Sequence, residues 1–464
     1  MISLRQLFSC CFSLILLSLA GQLYANENWA FNPTQQALFT MKGSNTIGAS
    51  LGPNLAKLYL EHNGVQEVRI LPSNVENEYK ISGQLQGREV YIDIAAHGSS
   101  TGFRALHNDS ADIAMSSRPI KGKEVKKLRA LGDMLNLKAE HVIAIDGIAV
   151  IVHPSNPISQ LSVQQIARVF SGEIHNWNQL SSNYSGAINI YARDNNSGTW
   201  DTFKNLVLAK KIPLSESAKR FESNDLLSDT VTADPQGIGF VGLASVRQAK
   251  ALSVSDENTV ALQPLHMTIA TEDYPLARRL HLYTAPSSRN WAVSDFLSFV
   301  HGRMGQEVVE EVGFISQNPV AVDNLEDRQG PNEYLKLTHS AKRLSLNFRF
   351  KPSSASLDNK ARQDIIRLSQ FLQLAENRHM RLLLIGFGDE KQSERRAHIL
   401  SKLRASAVKS ALRHQGISTL PVAGFGAFKP VATNSSSKRI KNRRVEVWLV
   451  PENSHTESLS MAWR

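Results

Sequence analysis

The sequence predicts an α/β fold in two parts, a larger domain of alternating strands and helices followed by a small α+β sandwich. Three observations predict it. Residues 30–322 alternate short β-rich runs with amphipathic helical spacing, as in Glu89 to Ile94 and the doubled run His141 to Asp146 and Ile148 to His153; that alternation is the mark of α/β layers. From Asp323 to Ser340 the chain turns polar, with Asn324, Glu326, Asp327, Arg328, Gln329, Gly330, Pro331 and Asn332 in close succession, the composition of a linker. Beyond it Leu344, Leu346, Phe348 and Phe350 alternate with Ser345, Asn347 and Arg349, which is the period of a half-buried strand. The 464 residues, 42% of them apolar, exceed what one core supports and supply enough material for two.

The first element in chain order is a leader. Arg5 gives a positive start, Leu7 to Ala20 an apolar run, and Leu23-Tyr24-Ala25 a small-residue cleavage site, so residues 1–25 read as a signal peptide for export to a periplasm. The run is short for a spanning helix, which needs about 20 residues. Both cysteines, Cys10 and Cys11, lie in the leader, and Gln22 stands where a lipoprotein would carry its cysteine. The mature chain is therefore expected to be cysteine-free and unlipidated. A net charge of +10 would suggest nucleic acid in a cytosolic protein, but an exported one meets cell-wall polymer, anionic lipid and small anions instead. The 14 histidines show no paired metal-ligand spacing, so neither metal nor cofactor is expected.

Within the larger domain three segments share one design, a strand, then small hydroxyl residues and glycine, then a helix. They are Gly43-Ser44-Asn45-Thr46, Gly98-Ser99-Ser100-Thr101-Gly102 and Arg193 to Thr199. Leu51, Leu55 and Leu58 follow the first, Phe103 and Leu106 the second, and Trp200, Phe203 and Leu206 the third. Backbone N–H groups at a helix start lack helical partners and carry the positive end of the helix dipole, so they suit a tetrahedral anion. Serine and threonine hydroxyls add neutral donors, and Arg193 can add a charge-assisted bond. Taken singly, each turn reads more readily as an ordinary N-cap.

Together with Ala111 to Arg118, Phe170 to Trp177, Gly237 to Gly242 and the closing Phe296 to Phe314, these segments resemble, in order, the phosphate-binding proteins of ABC importers. The resemblance implies a two-lobed clamshell that closes over a dehydrated phosphate, without enzymatic activity and in partnership with a transporter permease. It implies ligands at Thr46, Ile47, Ser99, Ser117, Arg193, Ser197, Gly198 and Thr199. At Ser117 some members place an aspartate that accepts the proton of hydrogen phosphate and repels sulfate, so weaker discrimination is expected here. Val65 to Glu89 is longer than the resemblance accounts for. A rival reading takes Gly98 to Gly102 as the G-x-S-x-G of a serine hydrolase, with Ser100 as nucleophile and Asp146 and His153 as partners.

The second domain, 341–452, continues with Ala361, Ile365, Leu368 and Leu372 at helical spacing and a strand at Arg381 to Ile385. A second helix then runs to Gln415, where Gly416 can end it, and strands follow at Pro421 to Phe425 and Arg444 to Val450, completing a β-α-β-α-β-β sandwich. Gly386-Phe387-Gly388-Asp389, Leu400 to Ala405, Gly424-Phe425-Gly426 and Asn442 to Val445 resemble the OmpA-like peptidoglycan-binding domain. The resemblance assigns Asp389 and Arg404 to the two charged ends of the diaminopimelate in the peptide stem. Phe387 and Gly388 depart from the family's His and Thr, and Ala397 from its usual Asn. Lysines and arginines crowd residues 377–444 against Asp389, Glu390 and Glu394 alone, a solvated basic face or an attraction to anionic wall and outer-membrane lipid. Residues 453–464 form a tail. The whole reads as a periplasmic oxyanion receptor tethered to peptidoglycan, the alternative being a wall-attached structural or sensory protein with no transporter.

Overall fold

The computed structural model describes residues 37–452, except 196, 209–211, 324–329, 352, 353, 355, 391, 392 and 434–438. The leader and the tail lie outside the described residues. The first lobe opens with β1 (Ala37–Gly43), α1 (Asn45–Gly48) and α2 (Leu51–His62), then β2 (Gln66–Pro72), β3 (Glu78–Leu85) and β4 (Arg88–Ala96), α3 (Ser99–His107), β5 (Ile113–Ser116) and α4 (Gly122–Lys127). β1 lies between β4 and β5, parallel to both, while β2, β3 and β4 form an antiparallel meander. α2 buries Leu51, Leu55, Tyr59 and Leu60, a stripe at helical spacing facing the sheet.

β6 (Glu140–Val152) is buried along nearly all its length and joins the lobes. Its first half pairs with β13 and its second with β10, and successive residues enter different cores, Ile148, Val150 and Val152 one and Ala149 and Ile151 another, so both faces are covered and its apolar run needs no alternation. The second lobe holds β7 (Gln160–Ser162), α5 (Val163–Phe170), β8 (Asn189–Arg193), α6 (Gly198–Leu206), β9 (Lys219–Phe221), α7 (Asn224–Ala233), β10 (Gly237–Gly242), β11 (Lys250–Ala251), β12 (Ser253–Ser255) and α8 (His266–Ala270). Its core includes Phe203 stacked on Phe240 with ring centroids 3.9 Å apart. β13 (Ala277–Thr284) returns antiparallel to β6 and β5, and α9 (Trp291–His301) and α10 (Arg303–Glu311) close the first lobe. The sheet order is β2-β3-β4-β1-β5-β13-β6-β10-β8-β9, with β11 also on β6. This is the expected clamshell, two lobes joined by β6 and β13.

The remainder comprises β14 (Ala321–Asp323), α11 (Asn332–Thr338), β15 (Lys342–Arg349), α12 (Asn359–Gln373), β16 (Met380–Gly386), α13 (Glu394–Arg413), β17 (Ala423–Gly424) and β18 (Arg444–Pro451). Its sheet runs β14-β15-β18-β16-β17, the expected sandwich with one strand more. Part of the stretch read as a linker is structured. Asp323 ends β14, which pairs with β15, and α11 buries Tyr334 and Leu337 beside Trp448, with Leu335 partly buried against the same core; Tyr334 and Leu337, three apart on one face, pack the helix on the sandwich. The two domains also meet through buried polar groups. Arg349 donates to the Thr271 carbonyl (2.9 Å) and to Asp273 (3.0 Å), Arg279 pairs with Glu272 and Asp358, Asn359 donates to Glu140, and Arg367 reaches His301. Among the described residues no helix is long and apolar enough to cross a membrane.

Candidate functional site

The first turn is shaped by Gly43. Its φ of +140° suits glycine, and a Cβ there would lie 2.1 Å from the Met115 carbonyl oxygen, so only glycine lets β1 pass β5 and turn directly into α1. The Ser44 amide then donates to that same carbonyl (2.9 Å), and the Gly98 amide donates to the Gly43 carbonyl (2.6 Å), which ties the second turn to the first. Across the cleft Ser197 caps α6, its hydroxyl accepting from the Trp200 amide at 3.3 Å. α6 approaches α1 so closely that a Cβ on Gly198 would sit 2.0 Å from Thr46 Oγ1.

The three turns converge on one cavity of about 430 Å³. Ser44, Asn45, Thr46 and Ser99 line it from the first lobe, and Ser197 and Gly198 from the second. The tip of the β2–β3 hairpin, Val75 to Asn77, completes the wall with His97 and Asp201. Beneath the meeting point of the lobes lies Arg278 on β13. Its Nε donates to Asp146 Oδ2 (3.1 Å), its Nη2 to Thr46 Oγ1 (2.9 Å) and to the Gly198 carbonyl (2.9 Å), and its Nη1 to the Ser117 carbonyl (3.4 Å). Burial pulls its pKa down and Asp146 holds it up; an arginine stays charged through such a shift.

In the second domain Asp389 follows β16 and is 2% exposed. Arg443 grips it with two bonds, Nε to Oδ1 at 3.0 Å and Nη2 to Oδ2 at 2.9 Å. Arg404, on α13, lies 3.8 Å from the same carboxylate and donates to the Phe387 carbonyl (3.4 Å). Burial, and then the neighbouring Arg443, depress the Arg404 pKa.

A PBP superfamily domain matches residues 81–303, and the OmpA family matches residues 349–444. The protein SphX of Synechococcus elongatus is 30% identical over 243 residues, covering 50% of this chain and 71% of that protein. The phosphate-binding protein PstS of Staphylococcus aureus is 31% identical over 234 residues, covering 48% of this chain and 69% of that one. This chain belongs to the PstS family of the PBP superfamily. Behind that part it carries a domain of the OmpA family. An ABC-type phosphate transport receptor from Vibrio cholerae aligns in structure over 60% of this chain and 98% of its own, at 23% identity and a TM-score of 0.47.

Of the eight residues expected around the anion in the PstS-family part, four line the cavity: Thr46, Ser99, Ser197 and Gly198. Ile47 is wholly buried in α1 and belongs to the first lobe's core, which leaves its amide as the group it could offer. Ser117 stands one layer back, its amide donating to Ser99 Oγ at 3.2 Å with the two hydroxyls 3.4 Å apart. Thr199, in the first turn of α6, is half-buried. Arg193 turns its guanidinium to the backbone carbonyls of Phe221 (3.2 Å) and Glu222 and lies 3.7 Å from Asp194. The buried arginine that touches cavity-lining residues is Arg278, which the motif reading missed. A signal was present, because Arg278-Arg279 interrupts the apolar run of β13, and a charge inside a buried strand requires a partner.

The hydrolase constellation does not assemble among the described residues. Ser100 Oγ accepts from Arg118 (3.1 Å), Asp146 is held by Arg278, and His153 bonds Ser155 (2.7 Å). Asp389 and Arg404 do come together in the OmpA-family part, with Arg443 as a third member, a residue of the Asn442 to Val445 motif to which the sequence reading gave no role.

Proposed function

We propose that this protein is an envelope receptor that captures phosphate or a similar oxyanion between its lobes, is held to peptidoglycan by its OmpA-family domain and delivers the anion to an ABC-type permease. The observation that carries the reading is the convergence of three hydroxyl-bearing helix starts, from both lobes, on one cavity. Helix starts with their positive dipole ends, neutral hydroxyls and a buried guanidinium behind them form a setting for a desolvated tetrahedral anion. The names of the PstS relatives agree with that chemistry, and the export leader agrees with a periplasmic site. Calorimetry on the chain lacking residues 1–25 should give micromolar or tighter binding of phosphate. Absence of heat with phosphate, arsenate and sulfate alike would remove the reading.

The tether is supported by the opposite charges of Asp389 and Arg404, side by side as a zwitterionic ligand requires. Arg443 already occupies the carboxylate, so the amino group of a bound stem must share or displace it. A sacculus pull-down at low and high salt, wild type beside Asp389→Ala and Arg404→Ala, tests this. Either variant should bind about tenfold more weakly, since a charge-assisted bond is worth about 1.5–3 kcal/mol. General basic adhesion would instead leave Asp389→Ala bound at least as well and released by salt.

A further inference from the structure

We infer that Arg278 is a positioning residue of the anion site, a fixed cation that aims the Thr46 hydroxyl into the cavity and ties the two lobes together behind the ligand. The inference deepens the proposed function and rests on it. One nitrogen, Nη2, donates both to Thr46 Oγ1 in the first lobe and to the Gly198 carbonyl in the second, each at 2.9 Å. These are two of the groups that line the cavity. A hydroxyl carries a single hydrogen; with its oxygen accepting from Arg278, Thr46 is left to donate, and the cavity is where it opens. The guanidinium's orientation is set by Asp146 (3.1 Å) and by the Ser117 carbonyl (3.4 Å), so it is placed before any ligand arrives. Its side chain is 9% exposed, and at that burial a fixed charge acts on an anion through a low dielectric.

Asp146 both holds Arg278 and offsets its charge, which gives the two residues opposite signs toward an anion. Phosphate calorimetry on the chain lacking residues 1–25 therefore compares wild type, Arg278→Gln, Arg278→Lys and Asp146→Asn, with melting curves for each. Arg278→Gln should weaken phosphate binding about tenfold or more, and Arg278→Lys, which keeps the charge, should recover part of the loss. Asp146→Asn, nearly isosteric and able still to accept from Nε, should bind phosphate more tightly than wild type, because it uncovers the cation. A merely structural ion pair predicts that Asp146→Asn weakens binding together with Arg278→Gln, and that result overturns the inference. So does wild-type affinity in a folded Arg278→Gln. Should Arg278→Gln fail to fold, the sign of the Asp146→Asn effect decides alone. A wild type that gives no heat with phosphate is a different failure, one that removes the proposed function and this inference with it.

Discussion

At the scale of single residues, charge is kept in this protein by pairing it and proton uptake is resisted by burial. His281, on β13, is buried, and desolvation, followed by the neighbouring Arg279, pushes its pKa down to about 3 from 6.5. Glu272 moves down as well, to about 2 from 4.5; burial opposes the shift, but Arg279, Arg349 and Lys360 outweigh it. Both folded pKa values lie below the unfolded ones, so each group contributes stability that is present above its unfolded pKa and is lost as pH falls through its folded one. For His281 the loss begins near pH 6.5 and for Glu272 near 4.5. The melting temperature should therefore fall between pH 7 and pH 5, before most carboxylates titrate. His281→Gln, which cannot become charged, should flatten that early limb and leave the steeper fall below pH 4.5 in place. An unchanged limb in His281→Gln would assign it to other groups, such as buried His301, whose pKa burial also depresses.

At the scale of elements, what could be read from the sequence was whatever repeats locally. The strand-turn-helix units were legible because apolar spacing and hydroxyl turns lie within a few residues of each other, and β6 because its two apolar runs, Val142 to Ile145 and Ile148 to Val152, admit no surface strand. Arg278 was not, since its meaning depends on Thr46 and Gly198, each far from it in the chain, and the role of Arg193 was read from a motif whose side-chain direction the motif does not carry. Helix α11 was hidden because one turn's worth of apolar residues, Tyr334, Leu335 and Leu337, is too short to show a period. The hairpin β2–β3 was noticed only as surplus length. Its tip turns out to line the cavity between the lobes, and it brings the exposed Glu76 to the rim. A carboxylate there repels an incoming anion through solvent, an effect that salt screens. Glu76→Ala should thus raise phosphate affinity by about twofold to fivefold at low ionic strength, with the gain vanishing near 1 M salt, where the screening length is about 3 Å. Weaker binding in Glu76→Ala would instead mean that the hairpin contributes a direct contact.

At the scale of the whole molecule, the OmpA-family domain is bolted to both lobes. Toward the second lobe Arg349 and Asn347 hold Asp273 and the Thr271 carbonyl, and the Thr433 amide donates to Asp256 (3.0 Å). Toward the first lobe Asn359 bonds Glu140 (2.8 Å) and the Leu135 carbonyl (3.0 Å), and Arg367 bonds His301 (2.9 Å) and Gln317 (3.3 Å). Lobes that separate about β6 and β13 must therefore break one set of these bonds or bend the domain that carries both. These contacts are hydrogen bonds and ion pairs between buried or partly buried groups. Removing one partner of a buried ion pair costs about 3–5 kcal/mol, because the other is left buried and uncompensated. In Arg349→Ala the partners left are Asp273, which keeps Asn347 at 3.1 Å and Arg444 at 3.8 Å, and Glu272, which keeps Arg279 at 2.9 Å, so the lower end of the range is expected. Scanning calorimetry of the wild type should show one cooperative transition for the whole chain, and Arg349→Ala should divide it into two, with the OmpA-family domain released from the lobes. Phosphate should stabilise only the transition that belongs to the lobes in that variant, whereas in the wild type it should raise the single transition of the entire chain. Two independent transitions in the wild type, only one of them moved by phosphate, would mean that the domains act as separate bodies in solution and that the OmpA-family domain places no constraint on the cleft.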